Sequence, residues 1–508
     1  MPKQWILLIL CAVLSLSGSV TPDTHIQGPL FLVHFMPWYQ TPEVSGYWGW
    51  HWTMNHFDPS QRDEQGRRQI ASHYYPVTGP YDSRDDHILE YQVLLMKISG
   101  VDGVIVDWYG MENFRDYGVL HAATRKLISY TNLAKLLFSV CYEDQTVGHM
   151  VNDGFIDADD GIDHGQQVMQ YLADNWFHSN RYAALDGRPL LLNFGPQYFH
   201  ASSEWEQLFS GLDPQPAFFT LDNRLAPVAE GAFPWPPMWA SVDGVLTQDA
   251  LNSYLSAFYA KSASWNYAVA GAFPAFHDIY EQAGLGYSYG YLDPRDGATF
   301  ETTLQTAVET DPDVVQIITW NDYGEGTIVE PTLEFGLRYL EMIQDAKRVF
   351  AGDGWVYTKD DLNLPYRFYQ LRKRYEEDPG IDELLTELFD MIVFEEIDEA
   401  RALIDSLDTL TPAERKPEAL PREVFLAQNF PNPFNPVTEI GCRIPKHAPV
   451  RLTIYNLAGQ KIATLVDGVL PPGAYRVLFH AQALPSGVYF YRLQTPGFSE
   501  TRKMILLP

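Results

Sequence analysis

Cysteine is nearly absent from this chain, with three in 508 residues. Cys11 falls inside an N-terminal apolar run, which leaves Cys141 and Cys442. No disulfide framework can be built from these, so stability has to come from a buried core, which a chain this long can supply. Basic residues are scarce too, 35 Lys and Arg against 65 Asp and Glu, for a formal charge of -30. That balance excludes a basic surface for nucleic acid or anionic lipid. Beyond the first twenty or so residues no apolar run approaches the length needed to cross a bilayer, so no transmembrane segment is expected. No His, Glu or Cys cluster has metal-ligand spacing, and a site free of metal and cofactor is expected. The run 157–163 (DADDGID) comes nearest to a calcium loop, but its glycine is one place early and the twelfth position lacks Glu.

Aromatic residues are abundant, 14% of the chain, including 13 Trp and 30 Tyr. Trp and Tyr rings can cover the flat C–H faces of sugars while their polar edges reach hydroxyls; a large aromatic core would give the same composition. The N-terminus reads as a signal peptide, residues 1–19: Lys3, an apolar stretch over 5–16, then Ser17-Gly18-Ser19. From 28 to 351, short β-rich runs (32–36, 104–108, 136–142, 189–194, 217–221, 238–242, 268–273, 315–319) alternate with segments of helical spacing such as 88–98, 166–176, 251–264 and 300–309. Eight strands with intervening helices predict a (β/α)8 TIM barrel. Residues 352–420 read as an acidic helical spacer and linker, with Leu385, Leu388, Phe389 and Ile392 on a 3.6-residue period and prolines at 412 and 417. Residues 421–508 become short alternating strands between glycine turns, which predicts a small immunoglobulin-like β-sandwich. This last segment carries nine basic against four acidic residues, a surplus of five, so the remainder carries -35.

The richest chemistry lies at the end of the eighth run. Val314, Val315, Ile317 and Ile318 read as a strand buried on both faces, which breaks into Asn321-Asp322-Tyr323-Gly324-Glu325-Gly326. The C-terminal ends of barrel strands are where catalytic groups collect. Two carboxylates on one such end, Asp322 and Glu325, match what glycoside hydrolysis requires: one protonates the leaving oxygen while the other activates the attacking group. A strand end capped by solvated acids would look the same.

The stretch 318–331 (ITWNDYGEGTIVEP) resembles the signature of glycoside hydrolase families 71 and 99. Phe35-Met36-Pro37-Trp38-Tyr39, residues 48–55, His73-Tyr74-Tyr75-Pro76, residues 79–85 and Gly103-Val104-Ile105-Val106-Asp107-Trp108-Tyr109 resemble family 99 more closely, in that family's order. The resemblance implies a (β/α)8 barrel acting on an α-linked polysaccharide or glycan, α-mannan-like or α-glucan. Family 99 cleaves α-mannosides with retention. One Glu deprotonates the 2-hydroxyl, whose oxygen attacks C1, and a second Glu three residues on serves as acid and then base. Glu325 matches the second position. Asp322 takes the first, where family 99 usually has Glu and family 71, which inverts, has Asp. Expected substrate contacts are Trp38, Tyr39, Trp48, Trp50, Trp52, Trp108 and Tyr109 as platforms, with His56, Tyr81, Glu143, Asn193 and Asn321. Trp38 and Trp108 are the two most open to a core reading, and Glu330 is expected past the site, capping the next helix. The alternative function is a non-catalytic glycan-binding protein on the same barrel, with Asp322 marking decay of the pair.

Residues 428–438 (QNFPNPFNPVT) resemble the opening of the C-terminal sorting domain of type IX secretion substrates. The runs 455–460, 473–475, 486–493 and 503–507 are similar to the rest of that domain. This implies the type IX secretion machinery as a partner. It also implies a place outside the cell or on its surface, reached across the inner membrane by the signal peptide and across the outer membrane by that machinery. A carbohydrate-binding accessory domain is the alternative.

Overall fold

The computed structural model describes residues 28–376, 378–409, 424–446, 448–470, 473–481 and 484–507. The expected signal peptide and the linker prolines lie outside them. The apolar β-rich runs become eight parallel strands: β1 (Leu30–Phe35), β2 (Gly103–Trp108), β3 (Leu137–Tyr142), β4 (Arg188–Asn193), β5 (Ala217–Leu221), β6 (Gly231–Phe233), β7 (Val269–Ala272) and β8 (Val314–Ile317). Nearly all their residues are buried, as expected for strands covered by a barrel interior on one side and helices on the other. The hydrogen-bonded order is β6-β5-β4-β3-β2-β1-β8-β7, so the strands follow one another around a nearly closed barrel. Parallel registers such as Leu32↔Gly103 and Leu30↔Val314 bring all the strand C-termini to one rim.

Helices follow the strands, among them α1 (Asp86–Ser99), α2 (Tyr117–Leu133), α3 (Gly161–Leu172), α4 (Ser202–Leu208), α5 (Gln248–Ser262), α6 (Ala298–Glu309) and α7 (Arg338–Ala351). α5 illustrates the local logic. Thr247 caps it by accepting the Ala250 N–H at 3.2 Å, and Leu251, Leu255, Phe258 and Ser262 form its buried stripe. The acidic run 157–163 forms a 3-10 turn (Ala158–Asp160) leading into α3.

The sixth strand differs from expectation. It is Gly231–Phe233, whereas residues 238–240 form a single 3-10 turn. Pro234, Pro236 and Pro237 explain the shift, because a residue without N–H cannot continue a ladder. They also explain the seam: among the described residues β6 and β7 share no ladder, and a Cβ on Gly271 of β7 would come within 2.7 Å of the Pro234 ring.

The chain divides into two units, one holding the barrel (to Arg84, and Ser99–Trp355), the other joining Asp85–Ile98 to Val356–Pro508. In the second unit, α8 (Leu364–Arg374), α9 (Pro379–Val393) and α10 (Ile397–Thr409) accompany α1. Leu385, Leu388, Phe389 and Ile392 are buried, as their spacing predicts. Arg372 donates from Nε and Nη2 to the two oxygens of Glu90, both at 2.8 Å, and from Nη1 to Asp382 at 2.6 Å.

The C-terminal strands form two antiparallel sheets. One contains β9 (Phe425–Leu426), β10 (Val437–Ile444) and β13 (Gly473–His480); the other contains β11 (Ala448–Asn456), β12 (Lys461–Leu470), β14 (Gly487–Thr495) and β15 (Phe498–Leu506). Ile440, Ile444, Leu452, Ile454, Leu493 and Met504 belong to a buried core of their own, the arrangement of a β-sandwich. Cys141 and Cys442 are both buried free thiols. Among the described residues no helix is long and apolar enough to cross a membrane.

Candidate active site

Past Ile317 the chain leaves the ladder but keeps both neighbours: Ile318 N–H donates to Ala272 O at 2.9 Å and Trp320 N–H to His34 O at 2.7 Å. The returning segment pairs back, Val329 N–H to Thr319 O at 3.0 Å and Glu330 N–H to Trp320 O at 2.9 Å, so residues 321–328 form a loop closed at its base. Inside it, Asp322 Oδ1 accepts the Glu325 N–H at 2.9 Å, and the Asp322 N–H donates to Thr319 Oγ1 at 2.8 Å. One carboxylate therefore holds the backbone that carries the other. Gly326 has φ 69°, and a Cβ there would lie 2.8 Å from His277 O and 3.0 Å from the Tyr74 ring, so the turn requires glycine.

A layer of packed rings supports this loop from below. Tyr39, Trp52, Tyr81 and Tyr323 pack together, Tyr39 to Trp52 at 4.1 Å between ring centres and Trp52 to Tyr323 at 5.2 Å. Tyr39 Oη donates to Asn321 O at 2.8 Å and accepts the Tyr323 N–H at 3.0 Å. Asn321 is fully occupied by the scaffold, with Oδ1 accepting the Met36 N–H at 2.8 Å and Nδ2 donating to Met36 O and Tyr81 Oη. Glu330 does not cap a helix. α7 begins only at Arg338, and Glu330 Oε2 instead accepts from Tyr81 Oη at 2.8 Å and Tyr323 Oη at 2.9 Å, anchoring the ring layer.

Five acids populate the rim above. Burial pushes the Asp322 carboxyl up to about 6, against the hydrogen bonds from Glu325 and Gly324 N–H. Glu325 keeps part of its surface open, but its carboxyl lies deep enough that burial, then the Asp322 charge, raise it well above the ordinary range; a hydrogen bond from Trp235 partly offsets this. Burial followed by the Asp322 charge raises Asp107, and burial followed by the Asp107 charge raises Glu143, which also accepts from Gln145 at 2.7 Å. Asp278 lies close enough for its charge to act on Glu325.

The expected contacts separate into two groups. Trp38 at the end of β1, Tyr109 after β2 and Glu143 after β3 converge on the acids: Trp38 packs edge-on to Tyr109 at 6.3 Å, and the charges of Glu143 and Asp107 act on Tyr109. Trp38 also stacks flat on His51, ring centres 4.2 Å apart. Asn193 is buried, Nδ2 donating to Asp144 at 3.1 Å, with Oδ1 unpartnered. Trp52, Trp108, Tyr39, Tyr81 and Asn321 belong instead to packing. Trp108 in particular is wholly buried, its indole N–H on His121 at 3.1 Å, facing Tyr142, Tyr171 and Trp176 rather than the rim. Trp108 and Trp52 therefore do not stand as platforms at the rim: side chains alternate along β2, so with Asp107 facing the acids Trp108 points to the helix layer, and Trp52 donates to Tyr81 O at 2.7 Å beneath the loop. Trp48 lies under the Arg68 guanidinium at 5.3 Å, and Trp50 is exposed, edge-on to His51 at 4.9 Å. His56 is exposed, edge-on to Phe57 at 5.2 Å.

Trp235, His51, Asp278 and Tyr280 reach the site without having been singled out from sequence. Trp235 follows the mispredicted sixth strand, and the others lie in loops whose position depends on the closed barrel. One set of groups could hold a metal ion among the described residues: His34, Asp107 and Cys141, with donor atoms within 4.8 Å of one another. Sequence spacing missed it because the three come from three adjacent strands. Burial lowers His34 to about 3 and raises the Asp107 carboxyl and the Cys141 thiol, so a metal would have to displace two protons there.

A (β/α)8 barrel with paired carboxylates after its last strand and aromatic rings beside them is a glycoside-hydrolase type of architecture. The chain is 25% identical over 356 residues to the glycoprotein endo-alpha-1,2-mannosidase-like protein of Danio rerio, covering 61% of this chain and 72% of that protein. It is 24% identical over 325 residues to the glycoprotein endo-alpha-1,2-mannosidase of Rattus norvegicus, covering 59% and 68%. Among solved structures, the GH99 endo-alpha-mannosidase from Bacteroides thetaiotaomicron aligns with 17% identity and a TM-score of 0.48, over 63% of this chain and 97% of that one. Residues 428–507 match the family described as secretion system C-terminal sorting domain. Over about three fifths of its length the chain is thus similar in sequence to proteins named glycoprotein endo-alpha-1,2-mannosidases, and its C-terminus matches a secretion sorting domain.

Proposed function

We propose that this protein is an exported glycoside hydrolase that cuts within α-linked glycan chains, α-mannan-like or α-glucan, with Glu325 and Asp322 as its working pair. The observation that carries this reading is the split between the two carboxyls. Burial pushes Asp322 up to about 6, while burial and the Asp322 charge together raise Glu325 well above its ordinary range, so Asp322 is the readier base and Glu325 the readier acid. A base and an acid on one turn are what the reaction needs. Asp322 takes the proton of the sugar 2-hydroxyl, that oxygen closes on C1, and the C1–O bond to the leaving sugar breaks as Glu325 gives its proton to the departing oxygen. Water then adds to C1, giving its proton to Glu325, and the 2-oxygen recovers its proton from Asp322. The anomeric configuration is retained. Trp38 and Tyr109 border the reacting ring, and Glu143 reaches its hydroxyls. Export proceeds through the signal peptide and then the type IX machinery, which reads the C-terminal domain.

The test is a screen of α-mannan, α-1,3-glucan and related α-glycans, with product masses and proton NMR of the first product formed. An α-anomer appearing first supports the mechanism; a β-anomer first overturns retention and assigns Asp322 to activating water instead. Asp322 is shorter than the Glu that family 99 usually carries, which favours a second reading, a glycan-binding protein without turnover. Saturable binding of an α-glycan with no product after long incubation would establish that reading.

A further inference from the structure

We infer that the loop following β7, together with the turn after β6, forms a track for several further sugar units beyond the bond cut at Glu325, so that the protein works on long α-glycan chains. The inference rests on the glycosidase reading above and adds to it where the rest of the chain lies. Tyr280, Tyr287 and Tyr289 form one cluster, with ring centres 5.5, 5.8 and 5.4 Å apart. Tyr280 is mostly buried, whereas Tyr287 and Tyr289 are 47% and 51% exposed. The cluster is tied directly to the catalytic loop, since His277 N–H donates to Glu325 O at 2.7 Å and Ile279 N–H to Gly324 O at 3.0 Å. The Glu325 charge acts on all three phenols.

These exposed rings are held rigidly. Asp278 Oδ2 accepts from Ser288 Oγ at 2.8 Å, Tyr289 N–H at 2.7 Å and Gly290 N–H at 3.0 Å, and its Oδ1 accepts the Tyr280 N–H at 3.1 Å. A buried carboxylate thus folds the loop around itself. The loop then abuts the turn after β6. Tyr291 N–H donates to Gly244 O and Leu246 N–H to Tyr291 O, both at 2.8 Å. Gly290, at φ 116°, leaves no room for a side chain, because a Cβ would lie 2.5 Å from Gly244 O. On that neighbouring turn Val242 is 70% exposed and Trp239 74% exposed. Exposed apolar and aromatic residues on two interlocked turns, continuous with a catalytic loop, mark a binding surface rather than scattered surface variation. A sugar chain fits its chemistry: pyranose C–H faces pack on Tyr and Trp rings, and the phenol edges reach hydroxyls. The rings are preorganised, so little ordering cost falls on binding.

The experiment compares the full-length wild type with Tyr287→Ala/Tyr289→Ala and Trp239→Ala on an aryl α-glycoside and on a ladder of α-linked oligosaccharides of the cleaved polysaccharide. Circular dichroism confirms folding. We expect kcat/KM to fall roughly 3- to 10-fold per ring on the longest chains, through KM, and the loss to shrink as the chain shortens. Equal losses at every length, or none, would overturn the track while leaving the glycosidase reading intact. If the wild type cleaves no substrate, that reading fails, and affinity electrophoresis in α-glycan gels decides the track separately. Retardation of the wild type that Trp239→Ala weakens supports it; unretarded wild type, or equal retardation of both, overturns it and leaves the patch to a protein partner.

Discussion

Asp322 and Glu325 share one loop but not one environment, and their difference sets the pH response. A carboxyl raised by burial is stabilised as the neutral form, so the proton on Asp322 is lost only as pH rises through about 6. Activity that needs ionised Asp322 should therefore show an acid limb near pH 6 in kcat/KM, two units above an ordinary Asp; a limb below pH 4.5 would refute its role as base. Glu325→Gln keeps the shape but removes the proton, and kcat should fall roughly 100- to 10,000-fold with glycan affinity nearly unchanged. Retention of more than half the wild-type kcat would remove Glu325 from the reaction. Gly326→Ala should also cost about 100-fold, because its methyl must push against His277 O and so moves the Glu325 backbone. The position of the two acids after a buried β-rich run was legible in sequence, but spacing alone left a solvated strand end equally open, and only the resemblance of 318–331 favoured a working pair. Their partners were not legible. Glu330 looked like a helix cap, and only the buried phenols of Tyr81 and Tyr323 reveal why an acid is tolerated beneath the loop.

Among the elements, strands were read well where apolar residues run together, as in β2, β4, β5 and β8, and badly only at β6. β6 is three residues, Gly-Ala-Phe, stopped by proline. Neither its composition nor its length distinguishes it from a loop, whereas Met238, Trp239 and Val242 imitate a strand. Helical spacing in 385–392 predicted the buried face of α9 but not the ion pair beside it. Arg372 holds Glu90 through both oxygens, yet burial outweighs that attraction and raises Glu90 to about 7. Between pH 4.5 and 7 the folded state therefore keeps a proton that the unfolded chain releases, and stability falls as pH rises through this window. Arg372→Ala should destabilise the protein by about 3 kcal/mol, more at pH 8 than at pH 5, because Glu90 loses its partner and must stay protonated. Urea unfolding at the two pH values checks this; equal losses at both would mean that Glu90 is not the group responsible.

For the whole molecule, composition changes at residue 421, and the strands beyond it enclose a hydrophobic core of their own. A protein ending before Phe425 should fold and keep kcat within about twofold, yet stay in the periplasm instead of reaching the surface or medium. Fractionation with an activity assay tests both parts, and an inactive purified truncation would make the tail part of the catalytic body. The barrel has its own asymmetry. Every barrel strand but β6 and β7 is zipped to both neighbours, while those two meet across Pro234 and Gly271 with no ladder between them among the described residues. Hydrogen exchange should find the barrel breathing there first: amides of β6 and β7 take up deuterium ahead of those in β1 to β4, through sub-global opening rather than global unfolding. Trp235, the donor to Glu325, stands right after that seam, so the same fluctuation that loosens the wall would momentarily release the Glu325 carboxyl.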